Sequence, residues 1–177
     1  MAGLVGFEGS RSLGSCFAGL VSPVVGSVLR SGLGVATGCA AGADALVRSS
    51  ARGSAVVFSV ASGLFGSGRG AFAARSAALV RAVAASGPGA AFAVFVSSAC
   101  PAGVVPARSW RSGSSVSGSW SSLALAAGLG LPVFVFWCAP GAPVLPAWAG
   151  GSWVPASAGS FAGSWSWVPA PVQPALF

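Results

Sequence analysis

Five short apolar runs, separated by stretches of helical character, constrain this chain more than any other feature. The runs are Leu4–Phe7, Leu33–Thr37, Ala55–Ala61, Ala90–Val96 and Val133–Trp137. Between them, Phe17–Arg30, Ala43–Arg52, Ala71–Ala85 and Trp120–Gly128 have helical spacing or an alanine-rich, helix-forming composition. Strands that are apolar at nearly every position are buried on both faces, and strands that alternate with helices are parallel. The expected fold is α/β: a Rossmann-like parallel sheet with helices on both faces, over residues 1–138. Residues 139–177 are rich in Pro, Gly and Trp, show neither period, and read as a tail without regular structure. Its near-repeats, GGSWVPA and GSWSWVPA, suggest a short duplication, and its four tryptophans favour docking on an apolar surface.

Charge narrows the chemistry. Only 6% of the residues are charged, there is no histidine or tyrosine, and the two acidic side chains are Glu8 and Asp44. General acid–base catalysis draws on those residue types, so the expectation leans away from an enzyme, with no catalytic residues and no metal site. Cys16, Cys39, Cys100 and Cys138 lack metal-ligand spacing and read as reduced, core-filling thiols. No secretory leader is evident, so a cytoplasmic location is expected. The uncharged segment Ser122–Ala139 has the length of a marginal membrane span, but Gly128, Gly130 and Pro132 divide it into helix, turn and strand. All nine arginines lie between Arg11 and Arg111, giving a net charge of +7 that attracts phosphate.

Three glycine- and serine-rich turns each lead into a helix. The first is Gly9-Ser10-Arg11. The second runs from Gly38 through Cys39, Gly42 and Ala43 to Asp44. The third is Ser117-Gly118-Ser119-Trp120. In parallel sheets such turns collect beyond the carboxyl ends of the strands. Glycine lets backbone amides approach an anion, and helix N-termini supply unpaired donors. Phosphate is the expected guest. Asp44 can cap its helix, bond a ribose hydroxyl, or do both. Glu8 reads as the partner of Arg11 or another arginine. Arg75, near the start of its helix, and Ser97, directly after the fourth run, complete the candidate ligand set. Arg108, Trp110 and Arg111 form a loop in which the tryptophan could stack on a base, whereas Arg48 reads as lying on the outer part of its helix. Gly42→Val is expected to cost binding more than folding.

Gly9-Ser10-Arg11, the Gly38–Asp44 turn and SGSWSSLALAAGLGLPVFVF from Ser117 to Phe136 together resemble the SLOG superfamily. That group includes the Rossmann-like domain of DNA-processing protein A and the cytokinin-activating phosphoribohydrolases. Small cyanobacterial members with a GSGTW-like turn are the most similar. The resemblance spans about positions 4 to 138 and implies a nucleotide-containing ligand at the turns. Gly9, Ser10 and Arg11 would form one wall, Gly38, Gly42 and Asp44 the phosphate turn, and Ser117, Gly118 and Ser119 the opposite side. The phosphoribohydrolases follow their glycine-rich turn with a catalytic glutamate, whereas Val116 to Ser122 here contains no carboxylate. The implied function is a non-catalytic module whose partner is a nucleotide-derived small molecule, with no cofactor beyond that ligand. The alternatives are a single-stranded nucleic-acid binder like DNA-processing protein A and a self-assembling structural protein. A homo-oligomer is expected.

Overall fold

In the computed structural model, which describes residues 2–110 and 117–171, each apolar run supplies a strand of one sheet. These are β1 (Leu4–Gly9), β2 (Gly34–Gly38), β3 (Val56–Phe58), β4 (Ala91–Val96) and β5 (Val133–Trp137). They pair in parallel in the order β3-β2-β1-β4-β5. Four helices connect them: α1 (Ala18–Arg30), α2 (Ala43–Ser50), α3 (Arg69–Ala84) and α4 (Gly118–Gly128). This is the expected α/β, Rossmann-like architecture.

The pleat explains why nearly every strand residue is apolar. Val5, Phe7, Ala93, Phe95 and Phe136 point to one face and pack with Val21, Val25, Val28 and Val47 of α1 and α2. Phe92, Val94, Val133 and Val135 point to the other and meet Leu79, Val80 and Val83 of α3 and Trp120 and Leu123 of α4. All six residues of β4 are buried. Phe7, Phe95 and Phe136 stack across β1, β4 and β5 with centroids 6.1 and 4.9 Å apart. Such ring pairs each contribute about 0.5–1.5 kcal/mol beyond the area they bury.

The expectation of a tail without regular structure is corrected. Residues Gly151–Pro155 form β6 and Trp165–Pro169 form β7; β7 lies antiparallel on β5, and β6 antiparallel on β7. The near-repeats face each other, so that Ser152 pairs with Val168, Trp153 with Trp167 and Val154 with Ser166. Trp148, Trp153 and Trp167 form a cluster with centroids 5.1–5.5 Å apart, and Trp148 and Trp167 are buried against the α3–α4 core. Each strand ends on a proline, which lacks the amide needed to continue the ladder. Alternation over only five residues, with serine and tryptophan in place of the usual polar and aliphatic pair, hid both strands.

Smaller differences have local causes. The run Ala55–Ala61 gives only a three-residue strand, because the Ser59 hydroxyl accepts from the Ala61 amide and starts a 3-10 turn at Val60–Ser62. The segment Ser122–Ala139 divides into the end of α4, a turn at Gly130 and β5, and no described helix is long and apolar enough to cross a membrane. The cysteines are free, and burial pushes the thiols of Cys100 and Cys138 up to about 11. Cys16, by contrast, is exposed rather than core-filling.

Candidate functional site

The sheet order changes direction between β1 and β4, which places a crevice at their carboxyl ends. Here the first two turns meet, and the third opens α4 at the same edge. The Ser10 amide donates to the Phe95 carbonyl (2.8 Å), and the Ser10 carbonyl accepts from the Ala43 amide (3.0 Å). The first turn is thereby pinned between β4 and the start of α2. The Ser97 hydroxyl donates to that of Ser10 (3.0 Å), which also shares a hydrogen bond with Ser12 (2.8 Å). Three hydroxyls therefore gather at the switch point. Arg11 is exposed, its guanidinium 4.8 Å from the centre of the Phe72 ring.

Beneath the turns lies a buried charge cluster. Arg75 Nη1 donates to Glu8 Oε1 at 2.6 Å and to Asp44 Oδ2 at 3.4 Å. Glu8 also accepts from the hydroxyls of Ser76 (2.8 Å) and Ser122. Both acidic side chains of the chain thus converge on one arginine and join β1, α2, α3 and α4 at the crevice. Desolvation raises the pKa of Glu8 above the usual carboxylate range, opposed by Arg75. Burial raises Asp44 in the same way, against the pull of Arg75, the Ala40 amide and Arg48. The expectation for Glu8 is met in kind, with Arg75 as the partner rather than Arg11. Arg75, expected at the ligand, is enclosed and occupied by carboxylates.

The second turn is built around this cluster. The Ala40 amide donates to Asp44 Oδ2 (3.2 Å), so Asp44 supports the turn from within. Arg48, expected on the outer part of its helix, donates to the carbonyls of Gly38 (2.7 Å) and Ala40 (3.1 Å). A Cβ at Gly38 would overlap the Arg75 guanidinium and the Asp44 carboxylate. Gly42 has φ +69°, and a Cβ there would run into the backbone of Ser10 and Arg11. The space beside Gly42 is filled by the first turn, so a substitution strikes folding first, contrary to the expectation for Gly42→Val. The half-buried Cys39 accepts from the Val60 amide at 3.5 Å.

The third turn offers the Gly118 carbonyl to the Ser122 hydroxyl (3.0 Å). Ser117 precedes α4 without capping it through its side chain, Gly118 is exposed and Ser119 half-buried. Trp120 is fully buried, and its indole donates to the Ser98 carbonyl (3.0 Å), tying α4 to the loop after β4. Arg108 is exposed, whereas Trp110 packs partly against the core. Arg111 and Val116 lie outside the described residues. Sequence reasoning missed Ser76, Ser122 and the turn contacts of Arg48.

No family model matches the chain, and no curated protein matches it. Among solved structures it is similar to DNA processing protein A from Helicobacter pylori, a protein studied for its single-stranded DNA binding mode. The TM-score is 0.54 and the identity 17%, over 77% of this chain and 66% of that one. At this identity the likeness is one of fold: the chain folds like the Rossmann-like DNA processing protein A.

Proposed function

We propose that this chain is a SLOG-like module that binds single-stranded nucleic acid, its phosphates held by the loops at the carboxyl ends of β1, β2 and β4. The placement of charge carries this reading. Both carboxylates are enclosed and engaged by Arg75, so the exposed side-chain charge among the described residues is all arginine. Arg11 lies on the strand-to-helix side, Arg108 follows Ala107, which packs against Gly128 at the far end of α4, and Arg30, Arg52 and Arg81 lie elsewhere on the surface. Cations spread in this way suit a polyanion better than one small phosphate. The helices α3 and α4 begin at this edge without side-chain caps, which leaves amides of their first turns for an anion, whereas α2 gives its first amide to the Ser10 carbonyl. The fold of DNA processing protein A supports the same reading. Glu8 and Asp44 are occupied inside, so the proposal includes no catalytic step.

The hydroxyls of Ser10, Ser12 and Ser97 at the switch point favour a second reading, a nucleotide-derived small molecule bound there. Fluorescence anisotropy with labelled oligothymidylate at about 50 to 200 mM salt separates the two. A polymer binder loses affinity steeply, with a log–log slope of about −0.7 per phosphate contacted, and Arg11→Ala should remove about one such contact. Equal affinity for a mononucleotide with a shallow slope would establish the second reading. Binding of neither would discard both.

A further inference from the structure

We infer that the connection from β3 to α3 forms the base-binding half of the nucleic-acid path, with Leu64 at its tip and Phe72 beside Arg11. The inference deepens the proposed function and rests on it. Leu64 is 83% exposed, more than any other large apolar side chain among the described residues. It stands on a loop whose glycines 63, 66 and 68 have positive φ, and a Cβ at any of them would meet nothing within 4 Å. The loop therefore leaves Leu64 open to solvent while Phe65 faces back toward β3. Phe65 follows Leu64, its ring centroid 6.4 Å from that of Phe58 at the end of β3. Phe72, half-buried on the first turns of α3, lies under the Arg11 guanidinium.

This places an apolar ring in contact with an exposed cation, and the exposed Leu64 on the connection that leads into the same helix, at the edge of the sheet where four helices begin. A partner must match both. Single-stranded nucleic acid does, because each nucleotide offers a phosphate for an arginine and an unpaired base with an apolar face. A free phosphate would leave Leu64 and Phe65 in water, and a purely apolar ligand would bury Arg11 without a counter-charge. Trp110, the sequence-based candidate for stacking, is packed partly against the core, so the exposed apolar role falls to this loop.

The test compares oligothymidylate with an abasic oligonucleotide of the same length, which keeps the phosphates and lacks the bases. Leu64→Ala is a safe variant, since the side chain is exposed. It should weaken oligothymidylate binding about threefold or more and leave abasic binding and the salt slope unchanged, whereas Leu64→Trp, which adds a stacking face, should strengthen oligothymidylate binding and be quenched by it. Arg11→Ala should weaken both ligands. If Leu64→Ala and Leu64→Trp leave the preference for oligothymidylate over the abasic chain unaltered, the inference is overturned while the nucleic-acid reading stands. If the parent binds neither oligonucleotide, both are overturned. Sedimentation velocity adds one further outcome: if Leu64→Ala converts a dimer into a monomer, the loop belongs to a second copy of this chain and the inference is again overturned.

Discussion

Two glycine-punctuated connections lie on the same edge of the sheet and look alike in sequence. One runs from Gly38 to Asp44 and the other from Gly63 to Gly68. Each follows a parallel strand, enters a helix and contains left-handed glycine. Their surroundings differ completely. A Cβ at Gly38 would meet the Arg75 guanidinium and the Asp44 carboxylate, and one at Gly42 the backbone of Ser10 and Arg11. Around Gly63, Gly66 and Gly68 there is open space. The first is a structural joint between two loops and a buried ion cluster; the second is a surface that a ligand can reach. Glycine count alone does not separate a joint from a surface, and the atoms that would meet a Cβ do.

The strongest way to break this contrast is to remove the cation beneath the joint. Arg75→Met would leave Glu8 and Asp44 buried without their shared partner. Breaking a buried ion pair from one side costs about 3–5 kcal/mol, and here two carboxylates are left at once. Urea denaturation should show a loss at the upper end of that range or incomplete folding. A loss below about 1 kcal/mol would mean that the cluster does not hold the turns.

Gly42→Ala comes next. Left-handed backbone at a non-glycine residue costs about 1–3 kcal/mol, and the collision with the Ser10 and Arg11 backbone adds to it. Thermal stability and oligonucleotide binding should fall together. Loss of binding at unchanged melting temperature would restore Gly42 as a ligand-contacting position.

Acidification probes the cluster without mutation. Burial raises the carboxyls of Glu8 and Asp44 above their ordinary values of 4.5 and 3.8. The folded chain therefore takes up these protons at a higher pH than the unfolded chain does. Stability should rise as pH falls through the folded values, and the gain should be complete once the unfolded carboxyls are also protonated. The slope cannot exceed about 1.4 kcal/mol per pH unit for each proton taken up. Denaturation midpoints measured from pH 7 down to the ordinary carboxylate range check the sign, and a steady loss of stability over that interval would contradict the effect of burial.

How much of this was legible in the sequence depends on the interaction involved. Strand β5 was readable to the residue as Val133–Trp137, because a run apolar at every position has one use in an alternating α/β chain. Strands β6 and β7 were not, since their order comes from the Trp153–Trp167 pairing and the tryptophan cluster, contacts that need the rest of the sheet. The placement of Gly9, Ser10, Gly38 and Ser117 on one edge followed from strand–helix alternation alone. The ion cluster did not. Glu8, Asp44 and Arg75 come from three elements, and nothing local distinguishes Ser76 and Ser122 from the many other serines as donors to Glu8.

The smallest expected effect sharpens the comparison best. Gly66 has φ +77° and Gly42 φ +69°, so alanine must accept a positive φ at both positions. Their surroundings differ. Gly66→Ala should cost roughly 1 kcal/mol, the penalty of a left-handed alanine and nothing more, because its methyl group enters open space. An exposed loop can also relax its backbone and shed part of even that cost, which the joint at Gly42 cannot do while Asp44 and Arg48 hold it. The difference between the two alanine variants in one denaturation series therefore measures what the filled surroundings of Gly42 add to the strain of a positive φ. Equal losses would show that backbone conformation alone governs both turns, and the distinction between joint and surface would fall.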